Sequence, residues 1–157
     1  MKIKVETNSI STYTLAIKAG ILTFMGFIIY FMFMKYMSLI HIMELRALNI
    51  LILFSGIHFA IKYFKRVTQK QITYLEGYML GCSITVISVI SFALFSFFYF
   101  QFIDPSQIQH LKGNSPMLGI NLTPVTIVIT IIIEGLISGL ILSFSIVQYI
   151  QKDSSHV

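Results

Sequence analysis

Glu134 is the residue whose type and setting most suggest chemistry, because it is an acid inside the apolar run Ile131-Ile132-Ile133-Glu134-Gly135. It follows Pro124 by ten residues, which at about 1.5 Å per helical residue is roughly 15 Å from the start of that run. An ionisable group near the centre of a membrane costs at least about 2.5 to 3.5 kcal/mol and often marks a functional site. Two interpretations follow: a group that binds protons, or a protonated acid that hydrogen-bonds a neighbouring helix.

His58 is the titratable side chain that the sequence places nearest to Glu134 in depth. Counted from the outer end of its own apolar run, it lies roughly 20 Å into the membrane. Glu134 and His58 are therefore predicted as an intramembrane polar pair. The pair suggests a proton relay, although a His beside Ser55 and Gly56 also suits a hydrogen bond across a helix interface.

Four long apolar runs must position these two residues. Hydrophobic residues make up 56% of the 157 residues and charged residues 11%, and the mean hydropathy is +0.84. Each run is long enough for a membrane helix and lacks the alternation of barrel strands. The sequence predicts one all-α domain over residues 1–157, a four-helix transmembrane bundle. Its predicted spans are 16–34, 45–64, 77–102 and 125–150.

The first run resembles a signal sequence in its position, but Lys35 and Tyr36 follow it instead of a small-residue cleavage site. We therefore expect a retained membrane anchor.

The basic residues predict the orientation of the four spans. Eight of the eleven Lys and Arg residues fall on the side that holds both termini and the middle loop. The positive-inside rule then predicts that both termini are cytoplasmic. These eight residues are Lys2, Lys4, Lys18, Lys62, Lys65, Arg66, Lys70 and Lys152. The remaining three are Lys35, Arg46 and Lys112.

The middle loop carries a basic run, Lys62, Lys65, Arg66 and Lys70. Such a run is a topology signal that also attracts anionic lipid headgroups, and a protein partner is the alternative. The net charge of +5 comes from residues beside apolar spans, so membrane topology explains it and no nucleic-acid partner is expected.

Small residues recur at four-residue spacing in the last two spans. One stripe begins with Gly77 and Gly81. It continues through Thr85, Ser88 and Ser91. The other consists of Gly135, Gly139 and Ser143. Stripes of this kind let helix backbones approach closely. They predict packing inside the bundle or docking onto another subunit.

The outer loop carries two helix-start signals. Asp104-Pro105 suits the cap and first turn of a short interfacial helix that ends near Leu111, and Thr123-Pro124 repeats the signal before the fourth span. On the same side, Glu44 is expected to pair with Arg46 or Lys35.

The sequence lacks the residues that several kinds of chemistry require. Cys82 is the single cysteine, so neither an internal disulfide nor a multi-cysteine metal site is expected. No two His residues are predicted at one depth, which argues against a haem held by two His. The sequence has no His-Glu-x-x-His or Gly-x-Ser-x-Gly motif. We expect no cofactor, no metal and no enzymatic activity.

Four short segments carry a family resemblance: Lys18-Ala19-Gly20, Ala60-Ile61-Lys62, Tyr78-Met79-Leu80-Gly81 and Phe102-Ile103-Asp104-Pro105. Through them the chain resembles an uncharacterised bacterial family of small four-helix inner-membrane proteins, a domain of unknown function. The resemblance covers nearly the whole chain. It implies architecture and a bacterial inner (cytoplasmic) membrane, and it brings no activity or catalytic residue.

These observations favour a non-catalytic accessory or structural subunit that docks onto a larger inner-membrane complex of respiratory or secretion type. Its expected partners are the lipid bilayer and either another membrane protein or further copies of itself. The alternative is a small proton-coupled transporter or channel that uses Glu134.

The orientation is directly testable with topology reporters. A reporter fused after Val157 and one inserted near Gln69 should both report cytoplasm, whereas one near Asn114 should report the exterior, because basic loops stay inside. An externally accessible insertion at Gln69 would reverse the orientation.

Overall fold

A computed structural model describes residues 12–37, 48–68, 73–104 and 123–154. These residues form four helices and contain no strand, which confirms the predicted all-α four-helix bundle. The predicted interfacial helix after Pro105 lies outside the described residues. The helices are α1 (Thr12–Tyr36), α2 (Leu48–Thr68), α3 (Tyr74–Phe98), which continues in a π-helical turn (Tyr99–Ile103), and α4 (Pro124–Ser154).

All four helices are long and apolar enough to cross a membrane. Most of their ends extend a few residues beyond the apolar runs, because a helix includes polar end residues that a hydropathy count leaves out. The second helix is described from Leu48, and its predicted start at residue 45 lies outside the described residues.

Local hydrogen bonds explain where two of the helices begin. At the start of α3 the Thr73 backbone N–H donates to the Glu76 carboxylate, at 3.0 Å. At the start of α4 the Thr126 backbone N–H donates to Thr123 Oγ1, at 3.2 Å, and Pro124 is the first helical residue. Both are cap arrangements that satisfy backbone groups with no partner inside the helix. The start that the sequence predicts at Thr123-Pro124 is confirmed.

Helices α1 and α3 run in the same direction, as their aromatic contacts show. Phe27 packs on Phe92 with ring centres 5.3 Å apart, and Phe31 packs edge-on against Tyr99 at 4.9 Å. Helix α2 is antiparallel to α1: Gly26 faces Ile52, and Gly56 lies directly against Thr23. The core of the bundle is mainly apolar: Ile57, Leu80 and Ile84 are completely buried, and so are the hydroxyl side chains of Ser88 and Ser143.

A row of close contacts joins α3 to α4, and we call it the glycine seam. A Cβ on Gly135 would lie 2.7 Å from Val89 Cγ2, and one on Gly81 would lie 2.6 Å from Ser143 Oγ. A Cβ on Gly139 would overlap Thr85. The helices pack this closely because these positions have no side chain. The seam consists of Gly81, Thr85, Val89, Gly135, Gly139 and Ser143.

Substituting Gly139 with Leu should force α3 and α4 apart. We expect a loss of about 1 to 3 kcal/mol, the usual cost of overpacking a close contact, seen as a lower melting temperature in detergent. The matched control is Ile137→Leu, since Ile137 is 56% exposed on the same helix. Equal stability of the two variants would mean that the seam does not hold the helices together.

Candidate functional site

Glu134 lies on the outside of its own bundle. Its side chain is exposed, although the next residue, Gly135, contacts Val89 in the glycine seam. A helix turns about 100° per residue, so Glu134 is about 140° around α4 from Gly139. The acid therefore occupies a different face of α4 from the one that packs against α3.

Glu134 belongs to a row of polar side chains along the outer side of α4. Four residues follow each other at four-residue spacing, which places them one above the other on a helix surface. We call them the polar row: Thr126, Thr130, Glu134 and Ser138. Each is exposed or half-exposed, and Ser145 and Gln148 are exposed further along the helix. The sequence analysis missed this row, although its i, i+4 spacing was the signal that would have revealed it.

The hydroxyl groups of the polar row already have acceptors for their protons. Thr130 Oγ1 donates to the Thr126 carbonyl at 2.9 Å, and Ser138 Oγ donates to the Glu134 carbonyl at 2.6 Å. A hydroxyl that donates in this way keeps lone pairs that accept further bonds. The row thus presents acceptor oxygens on either side of a carboxyl group, which donates a hydrogen bond when it is protonated.

His58 has contacts with the aromatic rings of its own helix. Its ring stacks on Phe54 with centres 5.7 Å apart and meets Phe59 edge-on at 6.0 Å. The preceding residue, Ile57, reaches Gly81 on α3, whereas the residue after Glu134 reaches Val89. These two contact points are about 12 Å apart along α3. The two members of the predicted polar pair are therefore anchored at different levels of that helix.

Of the predicted basic run, Lys62, Lys65 and Arg66 lie in the last turns of α2, and Lys70 lies outside the described residues. Among the glycines that the sequence singled out, Gly81, Gly135 and Gly139 are in the seam, and Gly77 is buried near the start of α3.

A polar cluster that the sequence did not predict lies where α1 and α3 end. Lys35 Nζ is 3.5 Å from Asp104 Oδ2 and 4.8 Å from the centre of the Tyr99 ring. The structure thus gives Lys35 a different acid from the predicted Glu44, which lies outside the described residues. The π-helical turn delivers Asp104 to this position, and its backbone N–H donates to the Tyr99 carbonyl at 3.1 Å.

Within the described ranges, no three His, Cys, Asp or Glu residues are grouped closely enough to hold a metal ion. The Cys82 thiol is free and half-buried. Comparisons with protein-family models, with curated proteins and with solved structures found no match. The family resemblance therefore stays a prediction.

The Tyr99 ring should matter more than its hydroxyl. The ring is 2% exposed and packs against Phe31, whereas the hydroxyl has the partly exposed Lys35 ammonium as a hydrogen-bonding neighbour. We expect Tyr99→Phe to keep the melting temperature and Tyr99→Ala to lose about 3 to 5 kcal/mol of stability. Thermal unfolding in detergent measures both variants, and a damaging Tyr99→Phe change would show that the hydroxyl is needed.

Proposed function

We propose that this chain is a non-catalytic multi-pass membrane protein that docks through the polar row of α4 onto another membrane protein. In this proposal it is an accessory subunit of a larger complex, of respiratory or secretion type, in a bacterial inner membrane. The observation that carries the proposal is the exposed position of Glu134, ten residues after the start of a helix apolar enough to cross a membrane.

The cost of placing an acid in lipid supports a partner at this position. A carboxyl group near the bilayer centre costs at least about 2.5 to 3.5 kcal/mol, and intramembrane acids usually face protein or water. Here the glycine seam directs Glu134 away from the bundle's own core. A second membrane protein beside α4 would shield the acid from lipid.

The exposure of α4 as a whole points the same way. In its most apolar stretch 11% of residues are buried inside the bundle, against 50% for α3. This stretch also has the highest mean hydropathy among the corresponding stretches of the four helices, 2.5. A helix with one side packed and a polar row on its open side suits a position between its own bundle and a neighbouring subunit.

The proposed orientation has both termini in the cytoplasm. It is supported by the eight-to-three division of Lys and Arg between the two sides. Lys65 and Arg66 are at the end of α2, on the proposed inner side. Lys35 is at the end of α1, on the proposed outer side.

A proton-coupled transporter or channel is the second candidate, and the titratable carboxyl of Glu134 favours it. Glu134 is exposed on the outer side of α4. A proton path through Glu134 would therefore run between chains, along the outer side of α4. This candidate needs an assembly just as the first one does.

Two substitutions of Glu134 separate the candidates. Glu134→Gln keeps the shape and hydrogen bonding but cannot titrate, and Glu134→Leu removes both. If the row is a docking surface, we expect Gln to keep the native assembly and Leu to lose most of it. Native gel electrophoresis of membranes extracted in a mild detergent measures the size and amount of the assembly.

The matched control is Ile133→Leu, because Ile133 is 54% exposed and adjacent to Glu134. Docking through the row is refuted if Glu134→Leu assembles as well as this control. A transporter is supported instead if Glu134→Gln assembles fully but abolishes proton flux into liposomes that contain the purified assembly and a pH-sensitive dye.

A further inference from the structure

A shallow, open groove on the outer side of α2 lies at the end that carries the basic run. The described residues that line it are Phe59, Lys62, Tyr63, Lys65 and Arg66. Phe59, Lys62, Tyr63 and Arg66 follow one another at helical spacing of three, one and three residues, which puts them on one face of α2. The lining thus combines two aromatic rings with three cations.

The groove opens away from the bundle. Phe59 is 70% exposed and Tyr63 is 50% exposed. The opposite face of the same helical turns is buried in the core through Ala60, Ile61 and Phe64. The groove is therefore available to a molecule that approaches α2 from outside.

The lining changes from apolar to charged along the helix axis. Phe59 is about 10 Å nearer to the middle of α2 than Arg66. None of the described lining residues is acidic. A ligand that fits this arrangement has an apolar part beside Phe59 and a negative charge beside Lys62 and Arg66.

We propose that this groove binds one anionic phospholipid, with its phosphate between Lys62 and Arg66 and an acyl chain along Phe59. Arg and Lys both bind phosphate, and the guanidinium does so through paired N–H donors. Tyr63 places an aromatic ring and a hydroxyl at the level where the lipid headgroup meets its chains. The site is separate from the polar row of α4, and it goes beyond the proposed docking function.

A general attraction between basic loops and anionic membranes would also concentrate such lipids near the chain. The proposed site is more specific, because binding there depends on particular cations on one helix face. Lys18 is the appropriate comparison: it is an exposed cation on α1, on the side of the bundle predicted to be cytoplasmic, and it is outside the groove lining.

The test is a lipid titration of the full chain in a neutral detergent, followed by native mass spectrometry. The probes are dioleoyl phosphatidylglycerol and dioleoyl phosphatidylcholine, which share their chains and differ in headgroup charge. We expect the wild-type chain to retain one phosphatidylglycerol at concentrations where phosphatidylcholine is not retained. Lys62→Gln and Arg66→Gln should each weaken this binding about fivefold, since a cation near a membrane surface contributes about 1 kcal/mol.

Lys18→Gln removes the same charge outside the groove and should leave the affinity within about twofold of wild type. An equal loss in Lys18→Gln and Arg66→Gln would overturn the site, because it would show a response to net charge alone. Equal retention of the two lipids would also overturn it. Melting temperatures of all variants exclude unfolding as the cause.

Inorganic phosphate distinguishes a lipid from a free anion. At the same concentration as phosphatidylglycerol it should not displace the lipid, because it cannot occupy the apolar part of the groove. Phe59→Ala should weaken lipid binding for the same reason. Displacement by phosphate together with a silent Phe59→Ala change would identify a free-phosphate site and overturn the lipid assignment.

Discussion

The close contact between α3 and α4 is the constraint on which the rest of the structure depends. Gly135 and Gly139 leave room for Val89 and Thr85, so one face of α4 is committed to α3. The turn of the helix then determines where every other side chain of α4 points. Glu134 cannot enter the same contact without rotating these glycines out of it. The exposure of the acid is thus a consequence of how its neighbours pack.

Close packing, and not hydrogen bonding between helices, holds the glycine seam together. Its hydroxyls donate along their own helices: Thr85 to the Gly81 carbonyl at 2.9 Å, and Ser143 to the Gly139 carbonyl at 2.7 Å. Buried polar groups are costly when they lack a partner, and this local arrangement removes that cost.

The apolar runs, the Thr123-Pro124 start and the small-residue spacing made the helices and one close contact predictable. The four-residue spacing of the polar row marks the face that Glu134 occupies. That spacing does not say whether the face meets another helix of the bundle or lies outside it. The pairing with His58 rested on depth alone, which says nothing about direction around a helix. The contact of Lys35 with Asp104 required α1 and α3 to be adjacent and parallel, and neither relation is local in sequence.

The π-helical turn at Tyr99–Ile103 bears on how an inserted or deleted residue would affect this fold. Its i to i+5 hydrogen bond, from the Asp104 N–H to the Tyr99 carbonyl, accommodates one residue more than an α-helical turn. In evolutionary terms the turn is equivalent to a single-residue insertion. A related chain with one residue fewer there would continue as a regular α-helix, and the residues after it would keep nearly their present directions, because the π-helical turn absorbs the extra residue. The end of α3 is therefore a place where a change of length by one residue need not redirect the chain.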